Sequence, residues 1–305
     1  MRILLCGAES PLGQSLLFRL EQQPFPLLQL DGAAQAAMTT LELETLLREK
    51  QVDGIVNVQH LPYTGSAREL EREYSRLPQI LALAAAASGC FILQLSDCQV
   101  FSGLQASAYR ESDEPDTQTP YGAMRWAGER AVIDTCPRHI VLRTGELFSS
   151  LGSNVLTNLI EAWQRGESAP VSVRYQFCPT AVRDAARVIT AMLQQLSCGI
   201  EPWGIYHYCG TDAVSYRDFA RLVKQILEAQ AGCDYAMDMH EIADGLPPLS
   251  WALDCSRIRD TFGIKQHAWR AGLTSGVKRA LRVRARQGDE VLNTDAEDEQ
   301  DGSCD

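Results

Sequence analysis

The sequence predicts a doubly wound α/β fold, a parallel sheet covered on both faces, with a smaller interleaved C-terminal lobe. Three observations predict it. Short apolar runs that end at glycine or an acid alternate with helical stretches through the first half; a glycine-bearing turn joins the first run to the first helix; and the alternation changes after about residue 150.

RILLCG at residues 2–7 is an apolar run ending in glycine, and PLGQSLLFRLEQ then sets Leu12, Leu16, Leu17 and Leu20 at helical spacing. This is strand, tight turn, helix. PLLQLD at 26–31 is a second strand stopping at Asp31, TLELETLLREK at 40–50 a helix, and DGIVNV at 53–58 a third strand. A helix ending in ILALAAAASG leads to CFILQLS at 90–96, a fourth strand. TPYGAMRWAGE, residues 119–129, opens the next helix: Thr119 suits its cap and Pro120 its first position, so Tyr121 and Arg125 share one face a turn apart. HIVLRT at 139–144 is the fifth strand.

SNVLTNLIEAWQRG (153–166) reads as a capped helix, PVSVRYQFCPT as an extended segment, and AVRDAARVITAMLQQL as a helix. WGIYHYCG (203–210) is a further strand, and VSYRDFARLVKQILEAQAG an amphipathic helix capped by Ser215. The organisation is a sheet domain over 1–150, a substrate lobe over 151–283 interleaved with it, and a tail over 284–305. After Arg286 the tail carries eight acids and no Lys or Arg, which predicts a disordered, solvating segment.

The formal net charge of −11 resides mostly in that tail, so the body is nearly balanced and shows no nucleic-acid footprint. The longest apolar region, residues 80–93, is too short to span a bilayer and holds Ser88 and Gly89. The expectation is a cytoplasmic protein with neither nucleic-acid nor membrane partner. The ten cysteines include no C-x-x-C pair, and no His/Asp/Glu/Cys cluster has metal-ligand spacing. They read as reduced, mostly buried small hydrophobes.

The first turn, GAESPLG, places Gly7 and Gly13 where a dinucleotide pyrophosphate rests on a helix N-terminus, and Asp31 ends the second strand where an acid accepts from an adenosine ribose. Each glycine also has a purely structural explanation as turn geometry. With Tyr121 in place, the chain resembles the extended short-chain dehydrogenase/reductase superfamily, a Rossmann fold, and within it the dTDP-4-dehydrorhamnose reductase (RmlD-like) branch. That branch is similar to the regulatory β subunit of methionine adenosyltransferase. The resemblance covers about residues 1–283 and rests on RILLCGAESPLG, LQLD, VDGIVN, LSDCQVFSG, TPYGAMRWAGERAV, HIVLRT, GIYHYCG with SYRDFARLV, and LDCSRI.

The resemblance implies reduction of a nucleotide-linked 4-keto sugar by NADH or NADPH. It makes Tyr121 the general acid toward the carbonyl oxygen and puts Arg125 at the position of a lysine that lowers the tyrosine pKa and holds the nicotinamide ribose. The catalytic Ser/Thr position falls on Asp97 when S-T-D-Y-V-F aligns on SDCQVF, with Ser96 before it; a one-residue bulge would bring Ser96 there instead. Arginine keeps the charge but not the compact shape, and a carboxylate beside the tyrosine opposes tyrosinate.

Further departures concern binding. Ser10 replaces the middle glycine of the turn, in which Pro11 and Leu12 also lie; Val58, Gln59 and His60 fall on the nicotinamide side; an active-site asparagine aligns on Tyr74. In the lobe Arg174 and Tyr175 occupy substrate positions, and Pro247 and Pro248 replace an Arg-Pro. Asp31 disfavours a 2′-phosphate by charge. Three readings follow: a reductase with a divergent site, a non-catalytic dinucleotide-binding protein that contacts an enzyme partner, or an α/β scaffold with an emptied cleft.

Overall fold

The computed structural model describes residues 1–30, 38–59, 66–230, 236–242 and 249–298, with side chains to 283. Asp31, His60, Pro247, Pro248 and residues 299–305 lie outside the described residues. Six parallel strands form the central sheet: β1 (Ile3–Cys6), β2 (Leu27–Gln29), β3 (Gly54–Asn57), β4 (Phe91–Asp97), β5 (His139–Thr144) and β6 (Gly204–Tyr208), in the order β6-β5-β4-β3-β1-β2. The order reverses between β1 and β3. In open α/β sheets the crevice beyond the strand C-termini at such a reversal is where ligands bind.

Alternation along each strand explains the two covered faces. Ile3, Leu5, Leu93, Leu95 and Leu142 pack with α1 (Pro11–Leu20) on one side. Leu4, Ile55, Ile92 and Val141 pack on the other with α2 (Thr40–Glu49), α3 (Leu77–Ser88) and α4 (Pro120–Thr135). Apolar residues on both sides leave no polar face, which is why these strands read as continuous apolar runs. A π-helical turn, Arg72–Arg76, runs into α3, whose end is set by Gly89 at φ +72°.

A second core gathers Trp163 of α5 (Val155–Gln164), Phe219 and Val223 of α7 (Tyr216–Glu228), and Trp269 and Leu273 of the C-terminal helix. Between them in sequence, α6 (Val182–Ser197) returns to pack on α1, and β6 joins the sheet beside β5. Residues after 150 therefore serve both bodies. After α8 (Ser256–Phe262), the last helix, α9 (Trp269–Asp298), carries its backbone into the segment for which composition predicts disorder. Among the described residues, no helix is long and apolar enough to cross a membrane. Seven of the eight described cysteines are buried, and all eight are free thiols.

Candidate active site

Helix α4 starts as its sequence dictates. Thr119 Oγ1 accepts from the Gly122 N–H at 3.0 Å, and Pro120 occupies the first turn. Gly122 lets that turn press against the chain leaving β4: a Cβ there would lie 2.2 Å from the Gln99 carbonyl oxygen. This approach brings Tyr121 and Arg125 to the end of β4.

There the side chains close on one another. The Tyr121 hydroxyl donates to Asp97 Oδ2 at 2.5 Å, and Arg125 Nε donates to the same oxygen at 3.0 Å. The other Asp97 oxygen accepts from the Gln99 N–H at 2.9 Å, and Arg125 also donates from NH1 to the Leu95 carbonyl at 3.4 Å. Tyr74, from the π-helical turn, lies under the guanidinium at 4.2 Å from its ring centroid and meets the Tyr121 ring edge-on at 5.3 Å. Arg125 is only 3% exposed.

The electrostatics follow from this packing. Burial raises the Tyr121 phenol well above its ordinary range; the Arg125 charge opposes the rise, and Asp97 adds to it as neighbouring charge and as hydrogen-bond acceptor. Burial works against the Arg125 charge, but Tyr121, Asp97 and Tyr74 more than restore it, so the guanidinium is held above its ordinary value. The positive charge that would acidify the tyrosine is matched first by a carboxylate.

The register of β4 on β5 is continuous through Ser96↔Arg143 and Asp97↔Thr144, so Asp97 and not Ser96 reaches Tyr121 without a bulge. Alternation turns Ser96 to the opposite face of the strand, where it is buried and its Oγ has no hydrogen-bond partner among the described residues.

The first turn is tightly built. Gly13 admits no side chain, since a Cβ would fall 2.0 Å from the Gly7 carbonyl oxygen. Ser10 caps α1 by accepting from the Gly13 N–H at 3.0 Å and donates from Oγ to the Gly7 carbonyl at 2.8 Å. Its second carbonyl contact is Val58, at 3.3 Å. The Ser10 side chain therefore turns into the protein. Pro11 has no N–H, and the cap engages that of Gly13, so the turn offers fewer donors than a triple-glycine one. Val58 is fully buried, and Gln59 lies against Gly7 with its Oε1 buried and without a donor among the described residues.

Arg174 and Tyr175 stand apart from the three-residue cluster. Arg174 NH1 donates to the Tyr175 hydroxyl at 3.3 Å, and the Tyr175 ring stacks on Trp251 at 6.0 Å. Trp251 Nε1 donates to the Phe101 carbonyl at 2.9 Å, linking this pair to the chain just beyond Asp97. Trp251 did not emerge from the sequence, nor did the buried pair behind the site. Glu129, one turn beyond Arg125, accepts from Arg143 Nε at 3.0 and 3.1 Å and from NH2 at 2.7 Å. His207 sits 3.4 Å from Arg143 NH1; burial, and then the Arg143 charge, press its imidazole down to about 3.

The RmlD substrate binding domain description matches residues 1–282. The dTDP-4-dehydrorhamnose reductase of Aggregatibacter actinomycetemcomitans is 26% identical over 284 residues, 89% of this chain and 97% of that one. Methionine adenosyltransferase 2 subunit beta of Bos taurus is 27% identical over 205 residues, 66% of this chain and 60% of that one. Among solved structures, dTDP-4-dehydrorhamnose reductase from Bacillus anthracis str. Ames in complex with NADP has a TM-score of 0.73 at 21% identity, covering 90% of this chain and 96% of that one. At that identity the likeness is one of fold.

Proposed function

The chain belongs to the RmlD substrate binding domain family, and on that premise we propose that it is an NAD(P)-dependent reductase of a nucleotide-linked 4-keto sugar with an altered Asp97–Tyr121–Arg125 site. The observation that carries this reading is the convergence of Tyr121 and Arg125 on the end of β4, on the β3 side of the sheet's reversal point. The reductase name of a relative matched along nearly its whole length supports the substrate class.

The residues present fit a dinucleotide. The Gly7–Gly13 turn, with Ser10, Pro11 and Leu12, would hold the pyrophosphate, and Asp31 the adenosine ribose. Val58 and Gln59 would border the nicotinamide, with Tyr121 and Arg125 against its ribose. The unpartnered Gln59 Oε1 is suited to a donor on that ligand, such as an amide or a ribose hydroxyl. A reduced nicotinamide supplies hydride to the carbonyl carbon.

For this chain's own part, Tyr121 must turn its O–H from Asp97 to the substrate oxygen and give up the proton. The tyrosinate formed would lie beside a carboxylate already paired with Arg125, where a lysine–hydroxyl site would present an unmatched cation. General acid catalysis weakens as the acid's pKa rises above the working pH. The reading is thus of a slow reductase. Arg174, with the Tyr175–Trp251 stack, would receive the nucleotide end of the substrate.

A second reading, a non-catalytic dinucleotide-binding member that contacts an enzyme, is favoured by the hydrogen bond that commits the Tyr121 proton to Asp97. Thermal shift with NADH and NADPH tests what both readings share, because a ligand of the folded state raises the melting temperature. NAD(P)H oxidation with dTDP-4-dehydro-6-deoxy-L-mannose separates them. Turnover lost in Tyr121→Phe supports the reductase; absence of turnover with a clear cofactor shift supports the second reading.

A further inference from the structure

On the outer side of the first turn, α1, the start of α6, Ser149–Leu151 and the start of α9 enclose a cavity of about 890 Å³. Volumes of roughly 300–1,000 Å³ are usual for small-molecule sites. Of the Gly7–Gly13 turn, Pro11 alone lines it; Asp97, Tyr121 and Arg125 are not among its lining residues.

Four guanidinium side chains line it: Arg19, Arg183, Arg187 and Arg279. Among the described residues one carboxylate lines it, Asp184, and that is already engaged. It accepts from Arg187 Nε at 2.7 Å, from the Tyr208 hydroxyl, and lies 2.9 Å from His267 Nδ1. Arg19, Arg183 and Arg279 have no carboxylate partner among the described residues. Burial, and then the nearby charges of Arg183 and Arg187, hold the Arg19 guanidinium below its ordinary value. Like charges gathered on one concave wall raise the local positive potential, and a bound anion relieves their repulsion.

The remaining wall mixes apolar and aromatic side chains with neutral polar ones such as Gln14, Ser149 and Gln266. Phe148 and Trp269 lie in it, and the Phe18 ring at its edge is 64% exposed. Planar guanidinium groups match phosphate oxygens in pairs, several of them suit more than one phosphate, and an exposed ring suits a flat base. The geometry points to a second ligand site, separate from the Tyr121 cleft, for a nucleoside polyphosphate whose phosphates meet Arg19, Arg183 and Arg279 and whose base lies against Phe18. The assignment is independent of the reductase reading.

The test is calorimetric titration of the full-length chain with ATP, alone and with saturating NADPH, in the parent and in Arg183→Glu, Arg279→Glu and their combination. Both arginines are exposed, so the variants are expected to fold, and equal thermal melting in the absence of ligand checks this. ATP is expected to bind with or without NADPH, to weaken about tenfold or more in the double variant, and to lose affinity as salt rises. Inorganic pyrophosphate is expected to bind more weakly than ATP. Absence of ATP binding, its loss when NADPH is added, or unchanged affinity in the double variant overturns the site. Equal affinity for pyrophosphate overturns the base contact. NADPH failing to bind leaves the ATP result intact and counts against the dinucleotide cleft alone.

Discussion

The Tyr121 hydroxyl and Arg125 Nε both donate to a single oxygen of Asp97, at 2.5 and 3.0 Å. That shared oxygen links the phenol and the guanidinium and places the negative charge between them. Asp97 is thereby a structural anchor for α4 as well as a restraint on the phenol, and the two roles respond differently to substitution.

Asp97→Thr leaves the Arg125 charge buried and unmatched. Removing one partner of a buried pair costs about 3–5 kcal/mol; a loss near 3 kcal/mol is expected here, because the Asp97 side chain keeps 10% of its exposure. Urea denaturation measures it. Loss of stability with gain of turnover in the same variant is the expected signature.

Glu129 and Arg143 form the second buried pair, with side chains 1% exposed on both sides. Glu129→Gln is expected to destabilise by about 3 kcal/mol or more, and Glu129→Leu combined with Arg143→Met to recover at least half of that loss. A double-variant loss as large as the sum of the losses in Glu129→Gln and Arg143→Met would show that the pair is not coupled. Denaturation midpoints decide between the two.

His207 gives a pH dependence. Its folded value, about 3, lies below the ordinary 6.5, so the folded state holds it neutral while the unfolded chain takes up a proton below 6.5. Its contribution is fully present above 6.5 and is lost as pH falls toward 3, at about 1.4 kcal/mol per pH unit. Between pH 6.5 and 5 the parent is expected to lose about 2 kcal/mol from this source. His207→Phe should lack that slope; the same slope in both proteins places its origin elsewhere.

In the first turn, Ser10→Gly removes a cap and two contacts to carbonyl oxygens, at an expected cost of about 1 kcal/mol. Because the hydroxyl faces inward, the affinity for NADPH should change by less than about threefold, a small free-energy difference. Gly13→Ala, whose Cβ meets the Gly7 carbonyl oxygen, should unfold the turn with or without cofactor. Thermal melting with an NADPH titration reads both.

The strands were legible because β1, β3, β4 and β5 are buried on both faces, which leaves unbroken apolar runs. Tyr121 and Arg125 were legible because helical spacing fixes a shared face. Spacing alone did not disclose whether Asp97 would stand free or bond the tyrosine, since that depends on how closely α4 approaches the end of β4. Gly122 sets that approach. The Glu129–Arg143 pair carried a usable signal: an arginine inside the apolar run HIVLRT requires a buried acceptor, and Glu129 lies on the face shared with Arg125. Trp251 gave none, because its stacking on Tyr175 joins segments distant in sequence. Asp31 and His60 lie outside the described residues.

On the proposed reading, Asp97 holds the Tyr121 proton, matches the Arg125 charge and so slows the reductase. NADPH oxidation with dTDP-4-dehydro-6-deoxy-L-mannose, compared between the parent and Asp97→Thr with Arg125→Lys, tests it most directly. Slow turnover is expected in the parent, with an increase of about tenfold or more in the double variant that is abolished by adding Tyr121→Phe. Brisk turnover in the parent that falls when Asp97 is replaced contradicts it.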